Sequence, residues 1–140
     1  MSEININAAL VQGLAAAALG IPTGNEGKDF AGKPGPDAPW AAWFNLPADT
    51  DVASLGVGGT DETIGLLQVD LNYPLNSGTG PILAAVQKLR DYFVAGRSLT
   101  YSGQCVHIRK VTRNNLRPVD GWQQINVSIY YSAQTTRPEV

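Results

Sequence analysis

Leu67-Gln68-Val69-Asp70-Leu71-Asn72-Tyr73 alternates apolar and polar side chains at every position. Because successive side chains of a β-strand point to opposite faces, this period of two collects the apolar residues on one face. The pattern predicts a half-buried strand from Ile64 to Tyr73. Its core-facing residues are Leu67, Val69, Leu71 and Tyr73.

The residues after this strand change to helical spacing. Asn76 to Gly80 is rich in turn-forming residues, and Pro81 stands where a first helical residue needs no N–H partner. Apolar residues then recur at intervals of four, three and four positions, at Ile82, Val86, Leu89 and Phe93. This spacing predicts a helix that ends before Gly96 and packs its apolar face on the strand.

Another amphipathic helix is predicted near the start of the chain. Its apolar residues recur every four positions, at Leu10, Leu14 and Ala18. Asn5 or Asn7 can cap its first turn and Gly20 can end it. Its alanine-rich face suits close packing on a sheet.

The same apolar segment resembles a secretory signal only superficially. Ala8 to Leu19 is about half of the ~20 residues that a membrane span requires. The residues before it carry Glu3 and neither Lys nor Arg, whereas a signal peptide begins with positive charge. We therefore expect an intracellular soluble protein without a membrane partner.

Further strands are predicted on either side of the central pattern. Trp40 to Leu46 is aromatic-rich and bounded by prolines, which favours a short or edge strand. Leu99 to Tyr101 and Cys105 to Thr112 flank a Ser102-Gly103 turn and predict a hairpin. A final alternating strand runs from Trp122 to Ser132.

The order of these elements is helix, strand, strand, helix and three strands, with one helical crossover. This order predicts an α+β fold, in which two helices pack on one face of a mainly antiparallel sheet. We expect a single domain over residues 1–140, because domains typically contain about 100 to 150 residues. The expected core adds the final strand's Ile125, Val127 and Ile129 to the residues named above.

Three segments are predicted to be irregular. Residues 20–39 contain five glycines and four prolines, a density that disfavours regular structure. Ala48 to Glu62 is polar and glycine-rich and predicts a mobile loop, with Leu55 and Val57 near its tip. The polar tail over residues 134–140 is expected to be loose.

Composition excludes several classes of protein. The chain has 140 residues, of which 44% are hydrophobic and 16% charged, so it is not a disordered, charge-rich segment. A formal charge of −2 gives no global reason to expect a nucleic-acid or membrane-surface protein. With one cysteine and one histidine, neither an intrachain disulfide nor a Cys/His zinc module can form.

No pattern in the sequence predicts a catalytic, cofactor-binding or metal site. Cys105 and His107 share a strand face but lie roughly 7 Å apart, too far for direct proton transfer. Gly78-Thr79-Gly80 opens a helix, yet Leu83 replaces the third glycine of a dinucleotide-binding loop. Gly56 to Gly59 lacks the Lys and Ser/Thr of a phosphate loop, and the acidic residues nearby lack EF-hand spacing.

Charge is divided between the two halves of the sequence. Residues 1–80 carry nine acidic and two basic side chains, a net −7, and residues 81–140 carry three acidic and eight basic, a net +5. If folding keeps the halves apart, two unlike patches on one protomer suit a head-to-tail contact that closes into a ring. If folding mixes them, the surface is balanced and carries no such information.

A family resemblance accompanies these patterns. Three parts of the sequence resemble the tail terminators of tailed bacteriophages. They are the segment Leu67 to Pro74, the helix Ile82 to Phe93 with the Gly96 that follows, and Asp120-Gly121-Trp122 leading into Val127 to Tyr131. The similarity extends over nearly the whole chain. It includes the N-terminal helix, the loop with Phe30 and Pro34-Gly35, and the aromatic strand after Pro39.

The resemblance implies a structural virion protein without enzymatic activity or cofactor. Such a protein is expected to form a homo-oligomeric ring, a hexamer, on the head-proximal end of the tail tube, where it stops tube polymerisation and presents a head-joining surface. The implied partners are further copies of this chain, the tail tube protein and a neck or connector protein, with a sheath protein as a further candidate. Genomic DNA would pass through the channel without sequence-specific binding, and assembly would occur in the host cytoplasm.

Two other functions stay open at this point. A head-tail connector or neck adaptor would share ring symmetry but bind the portal side, and a small Cys-dependent hydrolase would need Cys105. For a ring, we expect the contacts to come from the charged stretches and the loop tip. The candidate interface residues are Asp49, Asp51, Leu55, Val57, Asp61, Arg109, Lys110, Arg113 and Arg117.

Overall fold

A computed structural model describes residues 3–27, 38–52, 55–56 and 58–136, excluding the side chains of residues 47–49, 51 and 136. Two helices and seven strands follow one another along these residues. In chain order they are α1 (Glu3–Ala16), β1 (Thr23–Gly24), β2 (Trp40–Val52), β3 (Thr60–Pro74), α2 (Gly80–Tyr92), β4 (Ser98–Tyr101), β5 (Gln104–Arg113), β6 (Arg117–Val119) and β7 (Trp122–Thr136).

The strands form one sheet in the order β1-β2-β3-β7-β5-β4, and β6 also pairs with β7. Every pairing is antiparallel except that of the two-residue β1 with β2. Apolar residues of both helices are buried in one core with alternate residues of the strands. The predicted α+β class with a mainly antiparallel sheet is therefore confirmed.

The core lies on one face of β3 and β7. Leu67 lies opposite Ile129, Val69 opposite Val127, and Leu71 opposite Ile125. All six side chains are fully buried, as are Ile82, Leu89 and Phe93 of the α2 region. These are the residues that alternation and helical spacing predicted, so the phase of both patterns is confirmed.

The N-terminal helix differs from its prediction at both ends. It begins at Glu3, so that Asn5 and Asn7 lie inside the helix instead of capping it. The side-chain amide of Asn45 donates to the Asn7 side-chain oxygen at 3.2 Å, so this oxygen bonds to β2 instead of to the first turn of the helix. The helix ends at Ala16, before the predicted Gly20, and Ala18 adopts a left-handed backbone with φ +54°.

The predicted loop from Ala48 to Glu62 is wrong over much of its length. β2 continues to Val52 and β3 begins at Thr60, so most of this segment is a β-hairpin. A register shift between Pro47 and Asp49 lets the ladder resume beyond the proline, which has no N–H to donate. The hydroxyls of Thr50 and Thr63 lie 3.4 Å apart across the hairpin. Threonine favours β-strands, but it is polar, so these strand ends lack the apolar alternation from which strands were predicted.

Smaller corrections concern the other irregular segments. Residues 23–24 form β1 inside the predicted irregular stretch, and β6 was not predicted. β7 extends to Thr136, three residues into the predicted loose tail, because Thr60 to Glu62 pair with those residues. Residues 28–37, with Phe30 and Pro34-Gly35, and residues 137–140 lie outside the described residues.

A glycine makes room for the largest fully buried side chain. Gly65 lies directly opposite Tyr131, which is 1% exposed. A Cβ atom at position 65 would lie 2.7 Å from the Tyr131 hydroxyl oxygen and 3.1 Å from the Leu46 carbonyl oxygen. That hydroxyl donates to the Asn45 side-chain oxygen at 2.7 Å. Together with the Asn45–Asn7 bond, this contact joins β7, β2 and α1.

We expect Gly65→Ala to lower the free energy of unfolding by about 1–3 kcal/mol, because the added methyl overpacks the Tyr131 ring against backbone. Gly80→Ala is the matched control, since nothing lies within 4 Å of its Cβ position. Urea unfolding followed by circular dichroism measures both variants. Equal stability of Gly65→Ala and the parent would contradict the packing described above.

The buried tyrosines also predict a dependence on pH. Burial raises the pKa of Tyr131 and of Tyr73 above the ordinary value of 10.0; for Tyr131 the Asn45 hydrogen bond opposes this and the Glu3 charge adds to it. The folded phenols stay protonated where unfolded ones ionise, so their contribution to stability is complete below pH 10.0 and is lost as pH rises further. Urea unfolding from about pH 8 to about pH 11 should show this fall. The free energy of unfolding should fall less steeply with pH in Tyr131→Phe than in the parent.

Candidate subunit interface

The sheet separates the charged residues into two groups. Its central strand, β7, contains no Asp, Glu, Lys, Arg or His. On one side of it lie β2 and β3, whose charged residues are all acidic; on the other lie β4, β5 and β6, whose charged residues are basic apart from the single histidine. The charged residues of the described strands are therefore divided by sign across the sheet, as in the first of the two alternatives left open by the sequence.

Most acidic residues of β2 and β3 lie at the end of the hairpin where β2 ends and β3 begins. Asp61 and Glu62 lie in β3, and the backbones of Asp49 and Asp51 lie opposite Ile64 and Glu62. The side chains of those two aspartates and residue Val57 lie outside the described part. Leu55, at the tip, is 90% exposed and Val52 is 62% exposed. This end of the sheet therefore combines carboxylates with apolar side chains in water.

The basic side chains are held by neutral groups. Lys110 lies over the Tyr130 ring at 4.8 Å, and Arg113 donates to the Asn114 carbonyl at 3.0 Å. Arg117 donates to the side-chain oxygen of Asn126 at 2.8 Å. Each described contact fixes a side chain without neutralising its charge, so the cations stay available to an anionic partner. Arg109 is exposed at a register shift between Ile108 and Lys110, a bulge that redirects side chains.

The predicted interface residues do not all lie together within one protomer. Arg113 lies level with Val127 of β7, whereas Asp61 lies level with Thr135, eight positions further along. At about 3.3 Å per residue this separation is ~26 Å along the strand, with two strand spacings of about 4.8 Å across. Arg113 and Asp61 therefore cannot form an ion pair inside one copy, and Arg109 and Lys110 lie nearer the acidic end than Arg113 does.

An amide network covers the sheet face opposite the helices. Asn126 is its hub: its side-chain NH₂ donates to Asp70 and to Gln124, and its oxygen accepts from Asn114 at 2.6 Å and from Arg117. Gln68 also donates to Asp70 at 2.8 Å. Alternation predicted that these positions face away from the core. Which amides meet depends on cross-strand register, and so the network was missed from the sequence.

Cys105 and His107, the residues considered for catalysis, both lie on β5. His107 Nδ1 lies 2.9 Å from the hydroxyl of Ser98, a cross-strand neighbour, and Cys105 is a partly buried free thiol. No group of three or more His, Cys, Asp or Glu within residues 3–27, 38–52 and 58–136 could hold a metal ion.

Comparison with known proteins assigns the chain to a family. The sequence profile of the family described as "Phage tail terminator protein" matches residues 5–131. The chain belongs to the phage tail terminator family. One solved structure superposes on this tail terminator with a TM-score of 0.77 at 19% sequence identity, covering 96% of this chain and 97% of that chain. At that identity the likeness shows the fold alone. A search of curated proteins gives no match.

Family membership confirms the resemblance seen in the sequence. A tail terminator has a structural role in tail completion and is a component of the virion tail. The family is not typically enzymatic. No helix of this terminator, over the residues that the structure describes, is long and apolar enough to cross a membrane.

Proposed function

We propose that this protein forms a hexameric ring on the head-proximal end of the tail tube. The ring ends tube polymerisation and presents the surface to which the neck or connector protein joins. Assembly takes place in the host cytoplasm, and the genome passes through the channel without sequence-specific contacts. The proposal combines the family's tail-completion role with the charge distribution of this chain.

The observation that carries the ring is the lateral division of charge across the sheet. The acidic side of one copy and the basic side of the next would meet in a head-to-tail contact, and such a heterologous contact makes a ring when its rotation closes. Exposed ion pairs contribute only about 0–1 kcal/mol each, so they govern register and association rate more than final affinity. Backbone or apolar contacts must supply the remaining stability.

The basic residues fall into two sets by their position along β7. Lys110 pairs with Tyr130, and Arg109 lies in the bulge between Lys110 and Ile108, towards the end of β7 that pairs with Asp61 and Glu62. Arg113 and Arg117 lie nearer the other end of β7, at Val127 and Gln124. We assign the first set to the contact between subunits and the second to the neck protein. Leu55 at the hairpin tip is assigned to the tail tube.

Charge reversal tests the subunit contact. Arg109→Glu should slow ring formation and lower the yield of rings, because it places a carboxylate against the acidic end of the next copy, and adding Asp49→Lys should restore both at least partly. Arg113→Glu is the matched control on the same strand: its rings should form but fail to join heads. Negative-stain images and native mass spectrometry measure the outcome. Normal rings from Arg109→Glu would overturn the assignment.

Tube binding tests the position of the ring. Purified protein added to tail tubes should appear at one end of each tube in negative-stain images and should stop tube subunits from adding there. Leu55→Ser should keep the ring but weaken capping at least tenfold, since a 90% exposed leucine loses its partner surface. Leu83→Ser, a 39% exposed leucine of α2, is the control. Binding to portals instead of tubes would favour a neck adaptor.

A further inference from the structure

Two side chains of opposite charge bind the backbone at opposite edges of the sheet. On β2, the Asn45 N–H donates to the Glu26 carboxylate at 3.1 Å. On β5, beyond its pairing with β4, the guanidinium of Arg90 donates to the Val111 carbonyl at 3.4 Å. Glu26 and Arg90 are both exposed. Charged groups at an edge block the pairing of a further strand, so a partner at these two points meets side chains.

The pairing register places the two backbone groups in one row of the sheet. Val111 lies opposite Ile129, Ile129 lies opposite Leu67, and Leu67 lies opposite Asn45. The ends of this row are three strand spacings apart, roughly 14 Å. The carboxylate at one end and the guanidinium at the other end therefore lie level with each other but do not meet within one copy.

Both charges are left without a counter-charge inside the protomer. Across the part of the chain that the structure describes, Glu26 forms no ion pair with a Lys or Arg, and Arg90 forms none with an Asp or Glu. Each is held in place by a neutral backbone group. A hydrogen bond between a guanidinium and a carboxylate is among the stronger ones, so each group is suited to a partner that carries the opposite charge.

The surroundings of Glu26 favour a guanidinium as that partner. Glu26 lines a cleft of about 160 Å³, whose other side is formed by Trp40, Ala42 and Phe44. Phe44 is 36% exposed. A planar guanidinium can stack on an aromatic ring while it donates to a carboxylate, which a lysine ammonium does less well. This cleft therefore suits an arginine of a neighbouring molecule.

The same placement of two copies also serves the contact assigned to Arg109. Arg109 lies in the bulge next to Ile108, which pairs with Tyr131. Asp49 lies level with Ser132, the residue after Tyr131. These two levels differ by one to two residues, or about 3–7 Å along the strand. Two copies side by side, without a slide along the strands, therefore bring Arg90 to Glu26 and Arg109 close to position 49.

We propose that the guanidinium of Arg90 in one copy binds the Glu26 carboxylate of the next, beside the Phe44 ring. Copies related by rotation about an axis along the strands would keep every residue at its own level, as this contact requires. Each copy then gives one arginine to one neighbour and one glutamate to the other, so the contact is heterologous. The inference rests on the proposed ring and identifies a second charged contact within it.

Carbodiimide cross-linking tests this contact directly. The reagent joins a carboxylate to an amine without a spacer, and Arg90→Lys supplies the amine while it keeps the positive charge. In rings assembled from equal amounts of isotope-labelled and unlabelled chains, mass spectrometry should find peptides joined at positions 26 and 90 that combine both labels. Lys88, on the same helix, is the internal control and should not link to Glu26.

Charge exchange tests whether the contact contributes to assembly. Arg90→Glu and Glu26→Arg should each raise the protein concentration at which half of the chains are in rings by roughly threefold to tenfold, because attraction becomes repulsion at every contact. The double variant Glu26→Arg with Arg90→Glu should recover most of this loss. Lys88→Glu is the matched control and should assemble like the parent. Native mass spectrometry over a dilution series measures assembly, and circular dichroism checks that each variant is folded.

The outcomes separate this inference from the proposed function. Rings without a link between positions 26 and 90 of different copies would overturn the inference but leave the proposed function standing. Normal assembly of Arg90→Glu, or a double variant that assembles no better than the single ones, would do the same. Absence of rings in the parent, alone and on tail tubes, would overturn both.

Discussion

The unbroken ladder between β3 and β7 is the contact on which the rest of the structure depends. All fifteen residues of β3, from Thr60 to Pro74, pair with β7 without a register shift. Because the side-chain period is two, a slip of one residue would turn every core residue of a strand to the solvent face. β2 attaches to one side of this pair and β5 to the other, so their faces follow from it. The helices then cover the face where the apolar residues lie.

The ladder leaves three surfaces with different chemistry. One face is apolar and buried beneath α1 and α2, and the opposite face carries amides that satisfy one another around Asn126. β2 and β3, on one side of β7, carry only acidic charges, β5 and β6, on the other side, carry Lys and Arg but no acidic residue, and β7 itself carries no charge. Two sides of unlike charge on one protomer suit a head-to-tail contact, in which two different surfaces of two copies meet.

Local patterns predicted the parts of the fold that local physics controls. The alternation in β3 and the spacing of Ile82, Val86 and Leu89 reported burial correctly, because each pattern marks one face of one element. The predicted turn at Ser102-Gly103 is also confirmed. Both residues adopt positive φ, which one common type of two-residue hairpin turn requires. The predictions failed where distant contacts overrode local preference. Threonine-rich strand ends paired beyond Pro47, and Asn7 bonded to Asn45 instead of capping a helix.

The sequence by itself determined the α+β class, the core face and the division of charge between its two halves, since these follow from periodicity and composition. Only the tertiary structure decided that the acidic strands and the basic strands lie on opposite sides of the sheet, because this depends on the uncharged β7 joining the sheet between β3 and β5. The structure also decided which polar side chains meet across the sheet, as Asn126 meets Asp70 and Asn114. Those properties arise from cross-strand register, which links residues far apart in the chain and leaves no local pattern in the sequence.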